Sequence, residues 1–167
     1  NPTALTQLEG ANNDLGLEWN SWSDDPTLRL KFTLSDPNTD EGVKYNIQIS
    51  TKYGDFDSQY LIINSTLPES GLLTQGTTWY DTNLILETSY WWRVKCIDEP
   101  GFSSDYSSGT ISANQMHFGL DNLPPTVPTI VSPDNGAIST NTVVLFDWTI
   151  AADAVSGIAS YTLRYST

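Results

Sequence analysis

The chain has 167 residues, 38% hydrophobic and 11% aromatic, which is enough apolar surface for one domain with a core or two small ones. With 20 Asp and Glu against 7 Lys and Arg, its net charge is −13, a balance that argues against nucleic-acid phosphates and anionic membrane surfaces as partners. The single cysteine, Cys96, excludes an internal disulfide and any multi-cysteine metal site.

No apolar run has the length of a membrane helix, and no basic stretch leads into an apolar one, so no membrane insertion and no signal peptide are expected in this segment. Because the chain opens at Asn1 rather than Met, it is expected to be a processed or excised part of something larger.

Taken in order, the segments alternate apolar and polar residues in short runs bounded by Gly, Pro, Asn and Asp, the pattern of strands. Residues 27–34 set Leu28, Leu30, Phe32 and Leu34 against Arg29, Lys31 and Thr33, which reads as a half-buried strand with a charged outer face. Tyr45, Ile47 and Ile49 repeat the pattern between Lys44, Asn46, Gln48 and Ser50. Further strands are expected at 60–64 and 76–80. The clearest is 90–97, where Tyr90, Trp92, Val94 and Cys96 share one face, expected to be core, and Trp91, Arg93, Lys95 and Ile97 share the other. A last strand is expected around 109–118. Together these make about seven strands in the first 120 residues, the number and spacing of an immunoglobulin-like sandwich.

The chain also repeats. Residues 28–51 lie over 144–167 without a gap, matching Phe32 with Trp148, Leu34 with Ile150 and Tyr45 with Tyr161. Asn1 to Ala4 resembles Pro124 to Val127, and only the first copy carries extra residues around Gly16 to Asp24. The expected organisation is a complete sandwich at 1–120, a proline hinge at 121–125 that stiffens the joint, and the N-terminal half of a second like domain at 126–167.

Leu84, Tyr90, Arg93-Val94, Cys96, Asp98 and Gly101 resemble the corner and sixth strand of fibronectin type III domains, with Leu86 where that family often has Pro. Pro124 to Pro128, Ser132 to Gly136 and the turn Ser35 to Asp40 are similar to fibronectin type III-like repeats of large prokaryotic surface and secreted proteins. The resemblance implies an all-β, fibronectin type III-like β-sandwich. It further implies that Tyr90 is the corner tyrosine, its hydroxyl bonded to backbone upstream. The implied setting is extracellular or at the cell surface, with neighbouring repeats or other copies of the same protein as partners. Such folds carry many unrelated roles, so function has to be argued from sites.

Catalysis finds little support. His117 is the only histidine, with no nucleophile motif or metal-ligand partner near it, and the paired acids Asp24-Asp25, Asp40-Glu41 and Asp98-Glu99 point apart on strands or turns. No enzyme activity and no required cofactor are expected. Calcium is the candidate ion, because a hard cation takes six or more oxygens and acidic turns supply them: Asp36, Asp40 and Glu41 after the second strand, Asp98 and Glu99 after the sixth, and Asp121 at the hinge. The alternative for the same residues is ordinary turn capping.

Trp19 and Trp22 in the insertion, with the outward Trp91, are candidate stacking surfaces for sugar rings, and Trp79 is a fourth. Their competing reading is packing, as a lid over a sandwich edge for the first two and as a cation–π partner of Arg93 for Trp91. Asn64-Ser65-Thr66 is a glycosylation sequon.

In the second copy, Val144, Phe146, Trp148, Tyr161, Leu163 and Tyr165 are expected to form an open apolar face. Either the chain stops within a longer array or another chain supplies the missing strands. The leading expectation is a non-catalytic structural or adhesive spacer of a surface repeat protein. The alternative is a carbohydrate-binding accessory module of a secreted polysaccharide-degrading enzyme, with surface glycans as ligands.

Overall fold

A computed structural model describes residues 1–10, 15–112 and 115–165. It is all-β: no helix forms among the described residues, and none is long and apolar enough to cross a membrane. The chain divides into two compact units, Asn1–Asn122 and Leu123–Thr167.

The first unit is a β-sandwich. One sheet contains β1 (Thr3–Glu9), β2 (Leu15–Gly16), β4 (Leu28–Leu34) and β7 (Gly76–Asp81), in the order β2-β1-β4-β7. The other contains β3 (Ser21–Ser23), β5 (Val43–Ser50), β6 (Leu61–Leu67), β8 (Thr88–Asp98), β9 (Ser107–Ser108) and β10 (Phe118–Leu120). Its order is β3-β10-β8-β5-β6, with β9 also paired to β8.

Each alternating segment buries the face its sequence assigns. Leu28, Leu30, Phe32 and Leu34 of β4 meet Tyr45, Ile47 and Ile49 of β5 and Tyr90, Trp92, Val94 and Cys96 of β8 in one core, all nearly inaccessible to water. Burying each large apolar side chain contributes about 1.5–3 kcal/mol before ordering entropy is subtracted.

Two expectations change. The last strand does not run through 109–118; it is split into β9 and β10, and of the described residues between them only His117 bonds to the β8 backbone, its N–H donating to the Tyr90 carbonyl at 3.0 Å. They bow away from the ladder: Gly109 sits against the Trp19 ring, and the Gln115 carbonyl accepts the Trp91 indole N–H at 2.9 Å. The insertion does not merely cover an edge either. Its β2 extends one sheet and its β3 extends the other, so the chain crosses between the sheets at Trp19 and Asn20.

A buried polar cluster ties these pieces together. Gln7 on β1 is 2% exposed and donates to the carbonyls of His117 at 2.6 Å and Glu18 at 3.1 Å. Its Oε1 lies 3.5 Å from the Trp92 indole nitrogen, and the Trp92 backbone N–H donates to His117 Nδ1 at 2.9 Å. Asn20 closes the circuit: its N–H donates to the His117 carbonyl at 3.2 Å, and its Oδ1 accepts the Met116 N–H at 3.2 Å.

In the second unit, β11 (Ile130–Ser132) pairs antiparallel with β12 (Asp147–Trp148). Residues 144–150 and 161–165, which the repeat lays over β4 and β5, do not form long strands, since among the described residues no further strand offers them a ladder. Val144, Tyr161, Leu163 and Tyr165 are exposed. Trp148 and Tyr161 pack with ring centroids 5.9 Å apart, and the Tyr161 hydroxyl accepts the Ala151 N–H at 3.0 Å.

Burial depresses the His117 pKa from 6.5 to about 4, partly offset by its hydrogen bond to the Gly109 backbone. The unfolded chain therefore binds the extra proton first, and stability fully present above about pH 6.5 is lost as pH falls toward about 4, by about 3 kcal/mol in total. Urea unfolding between pH 7.5 and 5.5 is expected to show this loss, and His117→Gln to flatten it. An imidazole that NMR shows charged at pH 6 in the folded protein would contradict the buried neutral ring.

Candidate functional site

The acidic turns come together only in part. Asp36 and Asp98 line one surface cleft with Asn1, Pro37, Cys96 and Phe102, so the turn after β4 and the turn after β8 do meet at one pole. Each carboxylate also closes its own turn: Asp36 Oδ1 accepts the Asn38 N–H at 2.8 Å, and Asp98 Oδ1 accepts the Phe102 N–H at 2.6 Å. Asp40, Glu41 and Glu99 do not line this cleft.

Asp121 lies at the other end of the sandwich. It follows Leu120, which pairs with Thr88 at the start of β8, whereas Asp98 is the last of that strand's eleven residues. At about 3.3 Å a residue the strand is roughly 35 Å long, so Asp121 and Asp98 cannot share an ion. Among the described residues, no three Asp, Glu, His or Cys side chains gather to hold a metal.

Cys96 lines the same cleft but is 4% exposed, and burial raises its thiol pKa, which disfavours the reactive thiolate. His117 is equally committed. Its Nδ1 accepts the Trp92 N–H, its ring meets Trp19 edge-on at 5.1 Å, and it is 3% exposed.

The tryptophans divide. Trp19 stacks on Trp92 with centroids 6.2 Å apart and an interplanar angle of 17°. Trp22 is paired in register with Gly119, and its ring occupies the space that a Cβ at Gly119 would need. Both are half-buried and serve as packing for the crossing segment. The signal for this lay in two distant glycines, Gly109 and Gly119, whose missing side chains make room for the indoles. Trp79 is 48% exposed and lies beneath the Arg29 guanidinium at 4.7 Å.

Trp91 faces outward, but Arg93 does not cover it. Instead the Arg93 guanidinium lies between Phe56 and Tyr106, 4.1 Å from each ring centroid, while Trp91 meets Tyr53 edge-on at 6.2 Å. Beneath Arg93, the outer face of β5 is unexpectedly dry: Asn46 and Gln48 are 7% and 8% exposed. Asn64 Oδ1 accepts from Asn46 at 3.0 Å and from Gln48 at 3.3 Å, and Asn46 Oδ1 accepts the Tyr106 hydroxyl at 2.6 Å. Gln48 Oε1 accepts Arg93 Nε–H at 2.7 Å. An amide network on β5 and β6 thus positions a guanidinium between two rings.

No protein-family model, curated protein or solved structure matches the chain. Its chemistry therefore has to be read from this geometry.

A packing role for Trp22 makes Gly119→Ala costly, by about 1–3 kcal/mol of unfolding free energy, because the new methyl meets an indole held by the ladder. In a Trp22→Ala background most of that cost should vanish, and a double-mutant cycle in urea measures it. Additive costs would show that Trp22 does not fill that space.

Proposed function

We propose that the chain is a non-catalytic structural or adhesive spacer from an extracellular, cell-surface repeat protein built of fibronectin type III-like sandwiches. The observation that carries this reading is where the chain enters and leaves the first unit. Asn1 lines the same cleft as Asp98, at the C-terminal end of β8, while Leu120 pairs with Thr88 at its N-terminal end. Entry and exit are at opposite poles, the arrangement that lets sandwiches follow one another end to end.

Two further features support the family and the repeat. The Tyr90 hydroxyl donates to the Leu86 carbonyl at 2.6 Å, the corner that the fibronectin type III resemblance implies, in a sandwich whose strand order is compatible with the Greek-key class. The two units also share local geometry. Phe32 packs on Tyr45 at 4.9 Å as Trp148 packs on Tyr161 at 5.9 Å, and each unit's first strand carries an irregularity in register, between Thr3 and Thr6 and between Ile130 and Ser132.

The exit strand suits a spacer under tension. β10 runs parallel to β3, so pulling Ser21 toward the N-terminus and Leu120 toward the C-terminus acts in opposite senses along the pair. Their hydrogen bonds are then loaded together in shear, not one by one. Single-molecule stretching of the full chain should give a discrete unfolding peak with a contour-length gain of about 40 nm, from about 3.5 Å per residue of the first unit less its folded span. Trp22→Ala should lower the peak force. Extension without a resolved peak would sink the mechanical reading.

A further inference from the structure

The guanidinium of Arg93 is held but not used up. Its Nε–H is taken by Gln48, its plane by Phe56 and Tyr106, yet Nη1 and Nη2 meet no acceptor among the described residues. That is unusual in a chain with 20 carboxylates and 7 cations, since a half-buried guanidinium would ordinarily collect one of them. Arg93 also lines an open cleft with the turn at 52–57.

The rest of that cleft narrows the ligand. Tyr53 is 54% exposed, propped edge-on by Trp91, and offers a flat apolar ring. Asp57 is exposed and its carboxylate has no side-chain partner among the described residues, so it can accept from hydroxyls. Asp55, by contrast, is neutralised by Lys52 at 2.9 Å and accepts the Asp57 N–H at 3.1 Å, which fixes the turn. A fixed two-pronged cation, a stacking ring and a free hydroxyl acceptor in one cleft match a sugar ring that bears a carboxylate.

We propose that this cleft, on the outer face of the six-stranded sheet, binds a uronic acid residue of an acidic polysaccharide. Arg93 takes the carboxylate through Nη1 and Nη2, Tyr53 covers the apolar face of the ring, and Asp57 accepts from a ring hydroxyl. An acidic peptide shares only the first of these contacts. The site does not rest on the spacer reading, because neither the poles of the sandwich nor the β3–β10 pair contributes to it.

The test is titration of the full chain with trigalacturonate, with a neutral galactose trisaccharide and with a tri-glutamate peptide, followed by calorimetry and by NMR. Trigalacturonate is expected to bind saturably and to shift the signals of Tyr53, Phe56 and Arg93. The neutral sugar and the peptide are expected to bind at least about tenfold more weakly. Arg93→Met, which keeps an apolar stem between the two rings, should weaken trigalacturonate by about tenfold or more. Tyr53→Ala, at an exposed position where folding is not at stake, should weaken it by about threefold or more.

No uronate binding at about 10 mM, or equal binding by Tyr53→Ala and the parent, overturns the site. Peptide binding as tight as that of trigalacturonate overturns the sugar assignment and leaves a general carboxylate site.

Discussion

Everything in the first unit is arranged around Trp92. Its indole fills the middle of the core against Phe32 and Trp19, and its two nitrogens bring polar partners inside with it. A buried indole N–H or backbone N–H left alone costs about 1–3 kcal/mol, so Gln7 and His117 must be present and correctly aimed. Gln7 belongs to one sheet, Trp92 to the other, and His117 to the segment that closes the fold. One tryptophan therefore fixes how the two sheets face each other and where the last strand begins. The same demand explains why His117 is held as a neutral acceptor.

The two faces of the six-stranded sheet solve different problems. The inner face is apolar and closes on the opposing sheet. The outer face would present Asn46, Gln48 and Arg93 to water, yet Tyr106 and Phe56 come over it and shut water out of the amides. Once water is excluded, the amides must satisfy one another, and the network from Tyr106 through Asn46 and Asn64 to Gln48 does so. That second layer gives Arg93 a defined position. It leaves the guanidinium at the edge of the cleft formed with residues 52–57.

The second unit shows the same sequence pattern without the second sheet. Its Trp148–Tyr161 pair repeats the Phe32–Tyr45 pair, but no counterpart of Trp92 covers it among the described residues. Tyr161 and Leu163 stay exposed at 41% and 45%, and only Asp147–Trp148 of the expected strand finds a ladder. In this fold a strand is stabilised by what packs on it and pairs with it more than by its own residues.

The sequence by itself determined the central strands of the first unit and which of their faces is buried, because a two-residue alternation is written locally. Leu28 to Leu34 and Tyr90 to Cys96 bury the residues their spacing assigns, and the Tyr90 corner closes over four residues. Only the tertiary structure decided what covers each face. Trp19 and Trp22 are packed because Gly109 and Gly119, some ninety residues away, leave room for them. Asp36 and Asp98 meet while Asp121 is carried to the other pole, since the direction of β8 separates them. Arg93 is clamped by rings from the turn after β5 and the segment before β9, two loops that nothing in the local pattern joins. Alternation fixes which way a side chain points; its neighbours across the fold are set by loop closure and sheet packing, which no local window contains.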